Sequence, residues 1–150
     1  MKRIQPRTVR IDIASRFEML EMVQTVLTHL TAMLRLEDDA AHYVSVAIRE
    51  SVVNAIKHGN RGDARKRVAV EFLLHPSALE VTVQDEGSGF DPGAVPSPLA
   101  EENLLKAHGR GIFFMRSFMD EVEYAFPARG GTVVRMLKRL RGAEAEEAKG

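Results

Sequence analysis

Glu50-Ser51-Val52-Val53-Asn54-Ala55-Ile56-Lys57-His58-Gly59-Asn60 decides how this chain is read. Glu50, Asn54 and His58 stand four residues apart, so on a helix they share one face within about 80° of arc. Val46, Ile48, Val52, Val53, Ala55 and Ile56 crowd both sides of that face. A helix so apolar is expected to be buried, and burying a carboxylate and a carboxamide costs on the order of several kcal/mol unless they find partners. One reading is an ordinary surface helix with three polar residues in water. The other is a polar stripe lining a pocket, where Asn54 offers a carboxamide oxygen to a hard cation such as Mg²⁺ and Glu50 acts as a base.

The flanking segments read as alternating elements. Thr8 to Ile13 alternates polar and apolar residues, the period of a half-buried strand. Ser15, with Glu18 three residues on, has capping-box spacing for a helix from Phe17 to Leu36, whose apolar residues recur at intervals of three and four. Asp38 or Asp39 can cap a second helix running to about Lys57, closed by His58-Gly59-Asn60-Arg61-Gly62, where glycine and asparagine tolerate the left-handed conformation. Residues 67–74 and 79–84 read as an antiparallel hairpin, 109–119 as a third helix, and 121–126 and 132–140 as two further strands. The expected architecture is an α+β two-layer sandwich, with a mixed but mostly antiparallel sheet and about three helices on one face. It forms one domain over residues 1–141, with 142–150 as a flexible tail rich in Ala and Glu.

Two glycine-rich segments carry the remaining signal. Asp85-Glu86-Gly87-Ser88-Gly89-Phe90 follows a strand, so a carboxylate stands at the strand end before two glycines two apart. Such a carboxylate can accept from an exocyclic amine, which adenine offers, while glycine lets backbone approach a planar ligand. A tight turn with acidic decoration is the alternative. His108-Gly109-Arg110-Gly111 opens the third helix, where free backbone N–H groups suit a triphosphate. Between them lies a loop of over twenty residues, a length typical of binding loops and lids.

Bulk composition narrows the class. The chain has 150 residues, 45% hydrophobic and 28% charged, enough for a packed core. Twenty-one basic residues balance twenty-one acidic ones, which argues against a nucleic-acid binder held by overall charge. With no cysteine, disulfides, thiolate metal sites and cysteine nucleophiles are excluded. The first residues lack the apolar stretch of a signal peptide, and no apolar run approaches the ~20 residues that span a bilayer. The expectation is a soluble cytoplasmic protein with no membrane association.

Taken in order and spacing, these segments resemble the ATP-binding fold shared by gyrase, the Hsp90 chaperone, histidine kinases and MutL. Within it the chain is most similar to the anti-sigma-factor serine/threonine kinases, over about Arg7 to Leu140. Glu50 to Gly59 resembles that group's first box, a glutamate four residues before an asparagine–alanine pair and then a histidine. Asp85 to Phe90 resembles its second box and Gly109-Arg110-Gly111 its third. Phe118-Met119-Asp120-Glu121-Val122 is similar to a stretch typical of the subgroup, and Gly131-Thr132 matches the pair where the last strand begins.

The resemblance implies a Bergerat-type ATP-binding fold, with ATP and Mg²⁺ as cofactors. It implies that Glu50 is the general base acting on a protein serine or threonine hydroxyl, and that Asn54 coordinates Mg²⁺. Asp85 then bonds the adenine amino group, Gly89 shapes that pocket and Thr132 completes it. His58, Gly87 and Phe90 belong to the same nucleotide boxes, and Gly109, Arg110 and Gly111 contact phosphates beneath a lid formed by residues 93–108. Kinases of the group carry a lid arginine just before the third box; here the stretch is Lys106-Ala107-His108, and Lys106 and Arg110 are the cations placed to substitute. The implied partners are an anti-sigma-factor antagonist of STAS type, as phosphorylation substrate, and a sigma factor, regulated by partner exchange; a homodimer is implied as well. The alternative is the same fold holding ATP without phosphoryl transfer, as a binding switch.

Overall fold

The first strand, β1 (Arg7–Ala14), follows the alternation of its sequence: Ile13 is buried and Val9 and Ile11 are partly buried against the core, while Thr8, Arg10 and Asp12 lie on the opposite face. The computed structural model describes residues 7–87 and 116–140. A single 3₁₀ turn over Phe17–Met19 leads into α1 (Leu20–Met33). Helix α1 stops short of the expected Leu36 because Arg35 turns left-handed, at φ 55°. The Leu36 N–H then donates to the Thr31 carbonyl (3.1 Å) and the Arg35 N–H to Ala32 (3.1 Å), a Schellman closure made without glycine.

The expected capping box does not form. Arg16 occupies the N-cap position without a side-chain bond, and Ser15 is instead buried with its hydroxyl donating to the Lys66 carbonyl at 2.8 Å. Neither Asp38 nor Asp39 caps the second helix, α2 (Asp38–Asn54). Both lie in its first turn, where negative charge opposes the positive end of the helix dipole, and Glu37 stands at the N-cap with no side-chain bond.

After Asn54 the α-helix widens into one π turn, Ala55–Gly59, with the Asn60 N–H donating to the Ala55 carbonyl five residues back (2.8 Å). The left-handed residues that end it are Arg61 (φ 52°) and Gly62 (φ 70°), whereas Asn60 keeps a right-handed φ of −89°. Strands β2 (Arg67–Leu74) and β3 (Ala78–Gln84) form the expected hairpin. Residues 116–118 are helical, and β4 (Glu121–Ala125) and β5 (Val133–Arg139) complete the sheet.

The strand order is β1-β2-β3-β5-β4, and every pairing among the described residues is antiparallel. Val70 and Phe72 of β2, Val81 and Val83 of β3 and Met136 of β5 face Val23 and Leu27 of α1 and Val44, Ile48, Val52 and Ile56 of α2 in one core. Each such side chain contributes about 1.5–3 kcal/mol by leaving water. The opposite sheet face carries charge. One row crosses all five strands as Arg10, Glu71, Thr82, Arg135 and Glu123, with Arg10 3.6 Å from Glu71 and Arg135 3.4 Å from Glu123. This polar face leaves the sheet one layer of helices deep. None of the helices described here is long and apolar enough to cross a membrane.

Candidate functional site

The site forms where the end of α2 meets the end of β3. Helix α2 packs on the sheet through Val44, Ile48 and Val52, so Glu50 and Asn54 fall at the margin of the core and are half-buried. Among the described residues no hydrogen bond or ion pair occupies the Glu50 carboxylate or the Asn54 carboxamide. A half-buried acceptor pair one turn apart is thus left available to a ligand. His58 does not continue that line: it lies in the π turn, beyond the last α-helical residue, and is exposed. A π turn at a helix end recurs at functional sites, and here it displaces the residues that follow Asn54 from the α-helical phase. Ser51, beside Glu50, is buried with its hydroxyl unbonded to protein.

Asp85 follows β3 directly and is only 6% exposed. Its Oδ1 accepts from the Gly87 N–H (3.0 Å) and the Thr132 N–H (3.1 Å), and its own N–H donates to the Thr132 carbonyl (3.1 Å). Oδ1 is thereby fully committed. Oδ2 points at Gly59, and among the described residues no donor reaches it. Burial pushes the Asp85 carboxyl above the usual carboxylate range, against the opposite pull of the two backbone N–H groups and of the Lys66 charge. A buried carboxylate with one oxygen fixed and the other free is suited to accept from an amine that enters the site.

Two glycines make this geometry possible by size. A Cβ at Gly59 would overlap the Asp85 carboxylate, and one at Gly87 would overlap the Gly59 carbonyl. The backbone at Gly59 has no left-handed φ, so glycine is required there for space and not for conformation.

Sequence reasoning missed the residue that holds these parts together. Asn60 is 1% exposed; its Nδ2 donates to Ser15 Oγ (2.7 Å) and to the Arg67 carbonyl (3.0 Å), and its Oδ1 accepts from the Glu86 N–H (2.8 Å). Glu86 answers by accepting the Arg67 N–H on its carboxylate at 2.6 Å. One carboxamide therefore ties the end of β1, the start of β2 and the turn after β3 to the end of the π turn. In the sequence Asn60 reads as a helix terminator, and nothing local marks it as a junction.

Of the sequence-derived site residues, the structure brings Asp85, Gly87 and Thr132 into one hydrogen-bonded cluster against Gly59 of the π turn that continues α2, the helix that carries Glu50 and Asn54. Gly89, Phe90, Lys106, Gly109, Arg110 and Gly111, with the proposed lid at 93–108, lie outside the described residues. No three His, Asp or Glu side chains converge among the described residues.

Comparison with known proteins gives this arrangement a context. The profile of the histidine kinase-like ATPase domain matches residues 13–138. The serine-protein kinase RsbW of Listeria monocytogenes serovar 1/2a is 23% identical over 145 residues, covering 93% of this chain and 91% of that protein. The anti-sigma F factor of Bacillus thuringiensis strain Al Hakam is 33% identical over 104 residues, covering 68% of this chain and 71% of that protein. Among solved structures, the RsbU and RsbW domains of Rv1364c from Mycobacterium tuberculosis superpose with a TM-score of 0.65 at 19% identity, over 89% of this chain and 32% of that longer polypeptide. A chain of the SiaB–SiaC complex from Pseudomonas aeruginosa superposes with a TM-score of 0.63 at 13% identity, over 86% of this chain and 88% of that one.

Proposed function

This chain belongs to the histidine kinase-like ATPase domain family, among its anti-sigma-factor kinases, and from that premise we propose that it is an ATP-dependent protein serine/threonine kinase. Its substrate is an anti-sigma-factor antagonist of STAS type, and it regulates a sigma factor by exchanging one partner for the other, acting in the cytoplasm as a homodimer. The observation that carries the reading is the free, half-buried Glu50 carboxylate one helical turn before Asn54, on the helix whose terminal π turn holds Gly59 against the fixed buried carboxylate of Asp85.

In this reading the adenine amino group donates to Asp85 Oδ2, the only oxygen of that carboxylate left without a protein donor among the described residues. Asn54, with its free carboxamide oxygen, would hold Mg²⁺, which supplies charge neutralisation to the phosphates when bound. Glu50 takes the proton of the substrate hydroxyl as that oxygen bonds the terminal phosphorus; the bond to the bridging oxygen breaks and ADP leaves. Placing acceptor, base and nucleotide on rigid elements is what such a transfer needs, because the chemistry is mostly positioning. Gly109, Arg110, Gly111 and Lys106 complete the reading as phosphate contacts.

Co-purification from the native cell, followed by incubation with terminally labelled ATP, tests it. Label on a serine or threonine of the retained partner is the expected result. ATP binding with no label on any retained partner would favour the non-catalytic switch.

A further inference from the structure

The stripe of α2 that carries Glu50 and Asn54 extends back to Tyr43. Tyr43 lies seven positions before Glu50 and eleven before Asn54, so at 3.6 residues per turn the three share one face within about 40° of arc. Val46, half-buried, stands between Tyr43 and Glu50 on the same side, and no charged side chain interrupts the stripe before the Glu50 carboxylate. Tyr43 is 46% exposed, the one large apolar side chain of α2 so exposed among the described residues.

The Tyr43 ring is held in place from behind. It stacks on Phe118 with centroids 4.6 Å apart and planes 17° from parallel, and His42 is tilted against it at 5.8 Å. Phe118 is itself anchored: it packs against the core, Lys138 Nζ donates to its carbonyl at 3.3 Å, and Met119 beside it is buried. An aromatic ring fixed on one face and open elsewhere presents apolar area at small entropic cost, which is how anchor residues of binding surfaces work.

Along the helix axis Tyr43 stands about 10 Å from Glu50, seven residues at 1.5 Å each. Three residues of extended chain cover about the same length. We infer that Tyr43, backed by Phe118, anchors the protein substrate by taking a large apolar side chain about 10 Å from the acceptor hydroxyl, three residues away where that segment is extended. The occupant is apolar because Val46 and the Tyr43 ring offer area and no charge. The inference rests on Glu50 being the base of a protein kinase, and it adds the chemistry the substrate carries beside its acceptor.

The test uses the full chain and, as substrate, the partner co-purified from the native cell, with transfer followed at saturating ATP. Tyr43→Ala is expected to raise KM for the partner at least about fivefold, the effect of losing an aromatic anchor, and to leave ATP affinity as in wild type. Because the contact lies away from the reacting atoms, kcat should change by less than about twofold. Tyr43→Phe keeps the stack and the apolar area, so its KM should match wild type. Tyr43→Lys covers Phe118 with its stem while projecting a charge, and it carries the same expectation as alanine should the alanine variant unfold. On the partner, the labelled residue is located by mass spectrometry and the large apolar residue about 10 Å from it is replaced by alanine. That change should raise KM with wild type and add nothing further with Tyr43→Ala, the signature of a direct pair. A wild-type KM in Tyr43→Ala, or a labelled site with no large apolar side chain at that reach, overturns the anchor and leaves the kinase standing. So does a Tyr43→Ala variant that loses ATP affinity along with partner KM, which would mark a structural role. No label on any retained partner overturns the kinase reading, and the anchor falls with it.

Discussion

The Asn60 carboxamide oxygen accepts the Glu86 N–H at 2.8 Å, across twenty-six positions of sequence, and this bond fixes the turn that presents Asp85. Asn60→Ala removes three bonds and leaves the buried Ser15 Oγ and the part-buried Glu86 N–H without this partner. A loss of about 2–4 kcal/mol in unfolding free energy is expected, because each orphaned buried polar group costs roughly 1–3 kcal/mol. Urea unfolding measures it. A loss below about 0.5 kcal/mol would show that the junction is dispensable.

Asp85→Asn separates recognition from stability. The asparagine Oδ1 can still accept from Gly87 and Thr132, but it presents a donor where the carboxylate presented an acceptor. ATP affinity should fall at least about tenfold, equivalent to ~1.4 kcal/mol, with the fold retained. Calorimetric titration of the variant at unchanged affinity would remove Asp85 from adenine recognition.

The raised carboxyl of Asp85 also sets a pH dependence. An acid whose folded pKa lies above its unfolded value binds its proton more readily in the folded state. Its ionisation therefore costs stability as pH rises from the ordinary carboxylate value through the raised one. The advantage of Asp85→Asn over wild type in unfolding free energy should be largest near neutrality and shrink on acidification through that window. Paired urea titrations at neutral and acidic pH check the sign; an advantage that grows on acidification contradicts the burial argument.

Gly59→Ala places a methyl group in the Asp85 carboxylate. Overpacking of this kind costs about 1–3 kcal/mol, and the displaced carboxylate should weaken ATP binding more than a distant variant of equal instability does. Thermal unfolding and ATP titration on the same sample measure both. Intact affinity alongside reduced stability would mean that the carboxylate position does not govern binding.

Much of the fold was legible because its signals are periodic. The alternation in β1, β2 and β3 and the three-four spacing in α1 and α2 come from burial on one face, which a sequence records directly. The helix ends were less legible. Arg35 closes α1 in a left-handed conformation that carries no glycine signal, and Ser15 forgoes the cap its spacing suggested because Asn60 and Lys66 engage its hydroxyl. Those bonds span 45 and 51 positions of sequence, and local pattern cannot report them. The same holds in the site. Glu50, Asn54 and Asp85 were visible as polar residues in apolar surroundings, whereas the role of Asn60 exists only once three strand ends meet, and the π turn that carries His58 out of line leaves no mark in residue type.

Whether Glu50 transfers a proton is the central claim. The most direct measurement is single-turnover transfer from labelled ATP to the co-purified partner by wild type and Glu50→Gln, with ATP affinity measured on both. The account expects matched affinities and a transfer rate reduced at least about a hundredfold in the variant, the lower range of what a general base contributes. A Glu50→Gln protein that labels its partner at the wild-type rate would contradict it.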